Sequence, residues 1–376
     1  MICKVLEILL IKGGGSVNIF SCETQIVSGA GSVAYLKELK IGRLLMVTDP
    51  FFAQNGVALE IAQKSGAAQW EIFQKVVPDP SVELAAEGTA LVRDFEPDTV
   101  VALGGGSAMD CAKAMVYFSQ KDIRLVAIPT TSGSGSEVTD FAILTHENVK
   151  HPLVDKGICP RVAILDSNLL TKLPRNLIAD TGFDVIAHAL EAFVGKNGGF
   201  FTDALAKEAF CVAFAVLPAS FAGQTAVRQK MHEAATMAGM AFTRAGLGLC
   251  HAMAHALGGA FHIPHGRLNA ILLPAVVGCN GEVCGDKYAH LARAAGLPGA
   301  ADAVAVRNLK NALIRLRKEL GLPQTLKEAG VDPRQVWHKT DQLVDAVLKD
   351  PCCATNPLPV EAFLVRRILE EVTGRV

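Results

Sequence analysis

The chain of 376 residues has almost no net charge and no long apolar run. Lys and Arg number 36 and Asp and Glu number 37, so the formal net charge is −1. A chain with this balance has no long-range attraction for nucleic acid, and no nucleic-acid partner is expected. A helix needs roughly 20 apolar residues to cross a bilayer, and no uninterrupted run approaches that length, so no membrane partner is expected either.

The cysteines also lack a recognisable pattern. Ten of them lie between Cys3 and Cys353, with no Cys-x-x-Cys pair and no zinc-finger spacing. Such cysteines are expected to be small, mostly buried side chains in a reducing compartment, which predicts a cytoplasmic protein. With 50% hydrophobic residues and 19% charged residues, the chain can bury a large core, and disorder is excluded.

The first half of the chain alternates strand and helix patterns. Short apolar runs at residues 43–48, 99–103 and 124–128 are expected to be buried strands, and residues 52–66 and 81–95 are expected to be helices. This alternation predicts an α/β domain with a Rossmann-like parallel sheet and helices on both faces. In such sheets ligands bind beyond the carboxyl ends of the strands.

The second half has few strand patterns, and its apolar periodicity predicts an all-α domain. The expected long helices cover residues 178–194, 202–217, 226–245 and 303–320. The chain is therefore divided into an N-terminal extension (1–18), an α/β domain (19–170) and a helical domain (171–376).

Two loops and one acid are candidates for binding a cofactor. Gly104, Gly105, Gly106 and Ser107 follow a strand and precede a helix, so their backbone N–H groups suit a pyrophosphate, although a tight turn would have the same composition. A second loop is rich in small hydroxyl side chains (Thr130-Thr131-Ser132-Gly133-Ser134-Gly135-Ser136) and could bind phosphate or ribose. Asp49 ends an early strand, where a carboxylate either binds a ribose hydroxyl and repels a 2′-phosphate, which favours NAD over NADP, or merely caps a helix.

Acidic and histidine side chains with ligand-like spacing indicate a metal site. Asp184 and His188 are four residues apart in an apolar helix and share one face. His251, His255, His262 and His265 lie within fifteen residues further along the chain. Each histidine alone could be an ordinary polar residue, but together with the Asp184 pair they favour a metal centre. Imidazole and carboxylate ligands without thiolate suit Fe(II) or Zn(II).

These residues belong to four motifs that make the chain resemble the iron-containing (group III) alcohol dehydrogenases. The motifs are GGGSAMD at 104–110, PTTSGSGSEVT at 129–139, TGFDVIAHALEA at 181–192, and HAMAHALG at 251–258, continued by Pro264-His265-Gly266. The similarity runs from about Thr24 to the C-terminus. Within the family, Lys230-Met231-His232 and Thr355-Asn356-Pro357 fit the 1-propanol and ethanol dehydrogenases that are encoded with bacterial microcompartments.

The resemblance implies a role for each matching residue. The metal ligands fall on Asp184, His188, His251 and His265, and a cleft histidine that helps proton transfer or contacts nicotinamide falls on His255. The cofactor residues fall on Asp49, Gly104, Gly105, Gly106, Ser107, Thr130, Thr131, Ser134 and Thr139, and less securely on Lys150. His262 departs from the family pattern, since several members have asparagine at this position.

The resemblance implies that the α/β domain binds a dinucleotide and that the helical domain is the metal-binding catalytic domain, and it also implies the chemistry. A divalent metal, iron or else zinc, and NAD(H) would interconvert small aldehydes and primary alcohols by hydride transfer, in an enzyme that is a homo-oligomer. Three alternatives remain open at this stage: a glycerol-dehydrogenase-like polyol oxidoreductase, a dehydroquinate-synthase-like lyase, and a non-catalytic scaffold or shell-binding protein. The lyase would need several basic residues for an anionic substrate, and the motifs offer little beyond Arg267.

The first eighteen residues have no counterpart in the family pattern. Residues 1–12 are apolar apart from Lys4, Glu7 and Lys12, and Gly13, Gly14 and Gly15 follow as a flexible tether. A helix this short forms mainly when its apolar face docks. The segment is therefore predicted to target the protein to a microcompartment shell or a partner enzyme, the alternative being an unstructured start.

Overall fold

The structure, a computed structural model, describes residues 19–147 and 149–375. The predicted targeting segment, residues 1–18, lies outside the described residues. Of the described chain, the first half is built on a parallel sheet and the second half is helical, which confirms the predicted fold class.

The main sheet has six parallel strands in the order β1-β8-β5-β4-β2-β3. Its strands are β1 (Gln25–Ser28), β2 (Arg43–Thr48), β3 (Gln69–Phe73), β4 (Thr99–Gly104), β5 (Arg124–Pro129) and β8 (Val162–Leu165). The central strands β2, β4 and β5 are buried along almost their whole length, because helices cover both faces of the sheet. An antiparallel pair, β6 (Phe141–His146) and β7 (Val149–Val154), stands apart from this sheet.

The α-helices described in this half are α1 (Pro50–Gln54), α2 (Val57–Lys64), α3 (Val82–Phe95) and α4 (Gly106–Ser119). The prediction of a single helix over residues 52–66 was wrong. The chain forms α1 and α2 instead, because Gly56 adopts a left-handed conformation with φ of 81° and breaks the helix. Short 3₁₀ segments occur at Ser32–Leu39, Ser136–Val138, Lys156–Ile158, Ser167–Leu170 and Thr225–Val227.

The order of the strands reverses between β2 and β4. From β2 the chain crosses to β3 on one side, and it then returns to β4 and β5 on the other side. The ends of β2 and β4 lie side by side, and the Thr48 hydroxyl donates a hydrogen bond to the Leu103 carbonyl at 2.7 Å. Open α/β sheets bind ligands at such a reversal. Asp49 and Gly105 both follow directly, so the fold places them at the expected cleft.

The second half contains ten described α-helices. They are α5 (Arg175–Val194), α6 (Phe200–Phe221), α7 (Arg228–Ala245), α8 (Leu249–Phe261), α9 (His265–Ala294), α10 (Asp302–Glu319), α11 (Pro333–His338), α12 (Thr340–Lys349), α13 (Cys352–Thr355) and α14 (Ala362–Thr373). Helices α5, α6, α7 and α10 correspond to the four long helices that the sequence predicts.

Two of these helices, α6 and α9, have the length and apolar composition of a membrane span. Most of α9 is buried inside the helical domain, and α6 packs between α5 and α7. Length and composition of this kind are equally typical of core helices, so they are weak support for a membrane segment.

The nine described cysteines are all free. Cys111, Cys250, Cys279 and Cys284 are buried, as the composition predicts for cysteines in a reducing compartment. Cys22 is exposed, and the remaining four, which include Cys352 and Cys353, are half-buried. The prediction that the cysteines are buried is therefore correct for four of the nine described cysteines.

The two halves meet where the loop after β5 packs on α7. A Cβ atom added to Gly135 would lie 2.7 Å from the Cα of Gly239, so the two backbones touch at paired glycines. Gly135 also has a left-handed φ of 64°, which favours glycine. On the two sides of this contact, Ser132 bonds to the buried His232 at 3.1 Å and the Thr236 hydroxyl donates to buried Glu137. The loop is therefore held rigidly against the helical domain.

We expect Gly239→Ala to destabilise this seam. The new methyl group would lie 2.8 Å from the Gly135 carbonyl oxygen, and relieving such a clash costs about 1–3 kcal/mol. The matched control is Gly259→Ala in α8, which has no atom within 4 Å of the added methyl group and should gain stability, by up to about 1 kcal/mol. Urea unfolding of both variants measures the difference. Equal unfolding midpoints would show that the glycine contact does not constrain the seam.

Candidate active site

Four predicted ligands converge on one point of the helical domain. Asp184 and His188 come from α5, His251 from α8, and His265 from the first turn of α9; one donor atom of each lies within 4.8 Å of the others. The Asp184 Oδ1 atom is 3.8 Å from Nε2 of His251 and 3.6 Å from Nε2 of His265. The rings of His188 and His251 stack at 4.6 Å. Such a cluster can surround a single ion.

Local sequence explains how these side chains meet. Residues 184 and 188 are one helical turn apart, so they leave α5 on the same face. His265 reaches Asp184 because Gly266 lets the start of α9 lie directly on α5. A Cβ atom on Gly266 would be 2.0 Å from the carbonyl oxygen of Asp180, which excludes every other residue at this position.

Burial keeps the imidazoles neutral. It lowers the pKa of His188 and of His251 to about 4, so both carry a free lone pair at neutral pH. Burial opposes ionisation of Asp184 as well. The positive charge that His188, His265 and His251 carry when protonated, with a hydrogen bond from Asn269, outweighs burial and lowers the pKa of Asp184 overall. A carboxylate among neutral imidazoles is the donor set of Fe(II) and Zn(II) sites.

The buried amide of Asn269 lies among the same acceptors. Its Nδ2 atom is 2.6 Å from Asp184 Oδ1, 3.2 Å from His251 Nε2 and 3.1 Å from His265 Nε2. The acceptor atoms of Asp184, His251 and His265 therefore all surround the same position, as the ligands of a cation do. The Nδ1 atom of His188 is also buried without a hydrogen-bond partner. Both observations fit a bound divalent metal.

Glu191 is a site residue that the sequence analysis missed. Its buried carboxylate accepts the Nδ1 proton of His251 at 2.6 Å and the backbone N–H groups of Gly248 and Cys250 at 2.9 and 2.7 Å. Burial raises the pKa of Glu191 to about 7, although the hydrogen bonds from the backbone act to lower it. The bond to Nδ1 leaves the lone pair of His251 Nε2 available to bind a metal. Carboxylates paired with histidine in this way orient the ring and strengthen it as a metal ligand. The sequence feature that could have identified Glu191 is its spacing, since it follows His188 by three residues on the same helical face.

His255 lies next to the cluster. Its ring stacks on that of His265 with centroids 5.2 Å apart, and its Nδ1 atom is 2.8 Å from Asp350 Oδ2. The sequence analysis also missed Asp350, which is 95 residues away along the chain. His262 is exposed and ends α8 in a left-handed conformation with φ of 55°. Asparagine adopts this conformation readily, so the asparagine that the family resemblance gives for this position would fit the same turn.

The two candidate cofactor loops lie side by side at the strand reversal. A Cβ atom on Gly105 would be 3.4 Å from the Thr131 hydroxyl oxygen, and one on Gly106 would be 3.3 Å from that of Ser134. Gly106 and Ser107 form the first turn of α4, where N–H groups are free to bind an anion. Asp49 caps α1 by accepting the backbone N–H of Phe52 at 3.1 Å, and its second oxygen faces Gly104. The cap therefore uses one oxygen of this carboxylate and leaves the other directed at the start of the glycine loop.

Other predicted cofactor residues point elsewhere. Thr130 is buried and its N–H bonds to the Gly104 carbonyl, so it ties β5 to β4. The Thr139 hydroxyl accepts a bond at 2.9 Å from Lys113, a fully buried lysine whose pKa burial lowers to about 8. Lys150 is half-exposed on β7 and pairs with Asp79 at 2.6 Å. Of these residues, Thr131 and Ser134 are therefore the ones whose hydroxyl groups lie against Gly105 and Gly106.

Lys113 and Asp110 are a second pair that the sequence analysis missed. Lys113 also donates to Ser136 at 3.0 Å, and Ser136 donates to Asp110 at 2.9 Å. Both charged side chains come from α4, so they anchor the second loop to the helix that begins at the glycine loop. The sequence feature that could have identified this pair is two charged residues, three positions apart, in an otherwise apolar helix, because buried charges need partners.

Comparison with known proteins places this site in a family. Residues 23–167 match the family model described as iron-containing alcohol dehydrogenase, and residues 178–373 match that of the Fe-containing alcohol dehydrogenase family, C-terminal. The 1-propanol dehydrogenase PduQ of Salmonella typhimurium strain LT2 is 40% identical over 95% of this chain and 100% of its own. The NADPH-dependent butanol dehydrogenase of Clostridium saccharobutylicum is 36% identical over 93% and 97% of the two chains.

A solved structure agrees with these relatives. The sulfoacetaldehyde reductase from Bifidobacterium kashiwanohense in complex with NAD+ superposes with a TM-score of 0.87 at 28% identity. The alignment covers 95% of this chain and 99% of the other. The similarity therefore extends through both halves of the chain.

The contact between Glu191 and His251 predicts a loss of metal affinity in Glu191→Gln. The neutral amide is a weaker acceptor for the His251 Nδ1 proton, and removing such a partner typically weakens metal binding about 10–100-fold. Competition with a chelator of known affinity measures the change. The control is Glu208→Gln at an exposed position of α6, which should bind metal as the unmodified protein does. Unchanged affinity in Glu191→Gln would contradict this role.

Proposed function

The chain belongs to the iron-containing alcohol dehydrogenase family, and we propose that it reduces short-chain aldehydes such as propanal and acetaldehyde to primary alcohols with NADH. As a member it is an oxidoreductase that interconverts alcohols and aldehydes. The observation that carries the finer proposal is the convergence of Asp184, His188, His251 and His265 beside the two cofactor loops.

The family implies a metal and a nicotinamide dinucleotide, and we assign the metal to Asp184, His188, His251 and His265. Nitrogen and oxygen donors without thiolate favour Fe(II), with Zn(II) as the other candidate. When bound, the metal supplies a Lewis acid for the carbonyl oxygen, and the dinucleotide supplies the hydride. The dinucleotide is assigned to the cleft between the sheet and the helical domain.

The protein's own residues handle the proton. His255 is proposed to give a proton to the oxygen of the reduced aldehyde, directly or through water. Its contact with Asp350 supports this role, because a carboxylate that accepts the Nδ1 proton orients the ring and leaves Nε2 to exchange protons. Its ring is 37% exposed, so it can meet a substrate.

The dinucleotide would be bound by three elements. The N–H groups of Gly105, Gly106 and Ser107 at the start of α4 would bind the pyrophosphate, and Thr131 and Ser134 would supply hydroxyls from the second loop. The free oxygen of Asp49 would accept a bond from ribose. Thr130 and Thr139 would act by shaping the second loop, and Lys150 remains a prediction from the family motif.

The alternatives receive less support from the geometry. A lyase acting on an anionic substrate needs free basic groups near the metal, whereas Arg267 is bound to Asp180 through contacts of 3.1 and 2.9 Å. The relatives described above are named as dehydrogenases and a reductase, which favours an enzyme over a scaffold. A cytoplasmic location, a homo-oligomeric state, the domain limits at residues 18 and 170, and a microcompartment address in residues 1–18 all remain proposals.

An assay of the metal-loaded protein with NADH and propanal tests the reaction. The absorbance of NADH should fall when propanal is added and should rise again with propanol and NAD. A protein that consumes no NADH with any short-chain aldehyde would refute the proposal.

The assignment of ligands predicts that His265→Ala loses most of its metal and most of its activity. Removing one of four ligands opens the site and leaves Asp184 with fewer partners. Metal analysis and the NADH assay measure the two losses. His262→Ala is the control, because this neighbouring histidine is exposed and offers no donor atom to the cluster. Full metal content with full turnover in His265→Ala would refute the assignment.

The position of Asp49 predicts a preference for NADH over NADPH. Asp49→Asn keeps a side chain that caps α1 but removes the charge that repels a 2′-phosphate, so the ratio of kcat/KM values should move toward NADPH on the order of tenfold. Asp49→Gly should move it in the same direction, with some loss of stability. The butanol dehydrogenase of Clostridium saccharobutylicum is named as NADPH-dependent, so a measured preference for NADH in this chain would distinguish it from that relative. An unmodified enzyme that prefers NADPH would show that Asp49 does not bind ribose.

A further inference from the structure

A second set of donor atoms lies beside the proposed catalytic centre. His255, Asp350 and Cys352 each offer one atom, and these three atoms lie within 4.8 Å of one another. The closest pair is His255 Nδ1 and Asp350 Oδ2, at 2.8 Å. None of the three belongs to the ligand set of Asp184, so this is a separate cluster.

The turn that carries two of these donors is held in place. The backbone N–H of Cys352 donates to Asp350 Oδ1 at 2.9 Å, which directs the other carboxylate oxygen toward His255. Pro351 separates the two donors and is the N-cap residue of α13. Beyond α13, the buried Asn356 accepts the N–H of Leu249 at 3.0 Å and so fixes the turn to the start of α8, the helix that carries His255.

The cluster is partly buried and can still be reached. The side chains of His255 and Asp350 are 37% and 13% exposed, and Cys352 is half-buried. Partial burial strengthens binding of a cation because less water screens the charge of Asp350. A water molecule would supply the fourth ligand, as in other sites with three protein ligands.

The donors differ in kind from those of the first centre. One thiol, one imidazole and one carboxylate suit Zn(II) and its close analogue Cd(II), since soft sulfur donors select thiophilic ions over Mg(II) or Ca(II). Burial and the charge of Asp350 raise the pKa of the Cys352 thiol. Only an ion that bonds strongly to sulfur displaces the thiol proton. The site therefore discriminates further against Mg(II) and Ca(II).

We propose that His255, Asp350 and Cys352 form a second cation site, which binds a thiophilic divalent ion such as Zn(II) and thereby inhibits the enzyme. The ion takes the place of the Nδ1 proton of His255 and occupies the Asp350 oxygen that orients this ring. With the ion on Nδ1, the one remaining ring proton lies on Nε2, and the positive ion prevents the ring from taking up a second proton. His255 therefore no longer forms the imidazolium that would give a proton to the product. Its ring stacks on that of His265, so an ion at this position also narrows access to the first centre.

The inhibition rests on the role proposed for His255 above, whereas binding of the ion does not. Binding is therefore measured separately. The enzyme, already loaded with its first metal, is titrated with Cd(II) while the ultraviolet charge-transfer band between thiolate and Cd(II) is recorded. The first centre has no cysteine ligand, so it contributes nothing to this band.

Two neighbouring cysteines provide a matched pair of variants. Cys352→Ser removes the proposed donor, while Cys353→Ser removes an adjacent half-buried thiol that instead contacts the Val347 carbonyl at 3.0 Å. We expect the unmodified protein and Cys353→Ser to show the band, and to retain one Cd(II) per chain, beyond the first metal, after gel filtration. In Cys352→Ser both the bound Cd(II) and the band should be lost.

Activity in the same samples separates this inference from the proposed function. Cd(II) should lower turnover of the unmodified enzyme on the order of a hundredfold, the loss typical when a general acid is removed, and should have little effect on Cys352→Ser. No band in the unmodified protein, or a band that persists in Cys352→Ser, overturns the site. A band that depends on Cys352 without inhibition supports binding of the ion, overturns the inhibition, and contradicts the role of His255.

Discussion

The buried carboxylate of Glu191 joins the two helices on which the catalytic centre depends. It leaves α5 one turn beyond His188 and accepts bonds from the start of α8 at Gly248, Cys250 and His251. Gly248 has no side chain to cap this helix, so Glu191 does it instead. A Cβ atom at Gly248 would also lie 2.9 Å from the carboxylate. One buried acid therefore sets the position of α8, the tautomer of His251 and the place of His255.

Close backbone contacts at glycine connect this centre to the cofactor loops. Gly135 and Gly239 let the loop after β5 touch α7, and Gly133 approaches Thr181 on α5, where a Cβ atom would be 2.8 Å from the Thr181 Cβ. Since α5 also carries Asp184 and His188, the loop proposed to bind the dinucleotide packs directly on the helix that carries two of the proposed metal ligands. Small residues at these contacts set the short distance between the two proposed sites.

Much of the fold and part of the site could be predicted from local pattern. Continuous apolar runs identified β2, β4 and β5, and the spacing of Asp184 and His188 placed both on one helical face. Short-range geometry decides such features, because strand and helix periods are properties of the backbone. The single helix expected over residues 52–66 failed for a local reason as well, since Gly56 adopts a left-handed turn that apolar periodicity does not reveal.

By itself, the sequence determined the order of strands and helices, the loop chemistry and the residues able to bind a metal. Only the tertiary structure decided which of them meet. His251 lies 60 residues from Glu191, and His255 lies 95 residues from Asp350. No local pattern encodes such pairs, because they form only when buried helices pack and each polar group must find a partner away from water. The same packing left His262 exposed, although its place in the chain resembles that of His265.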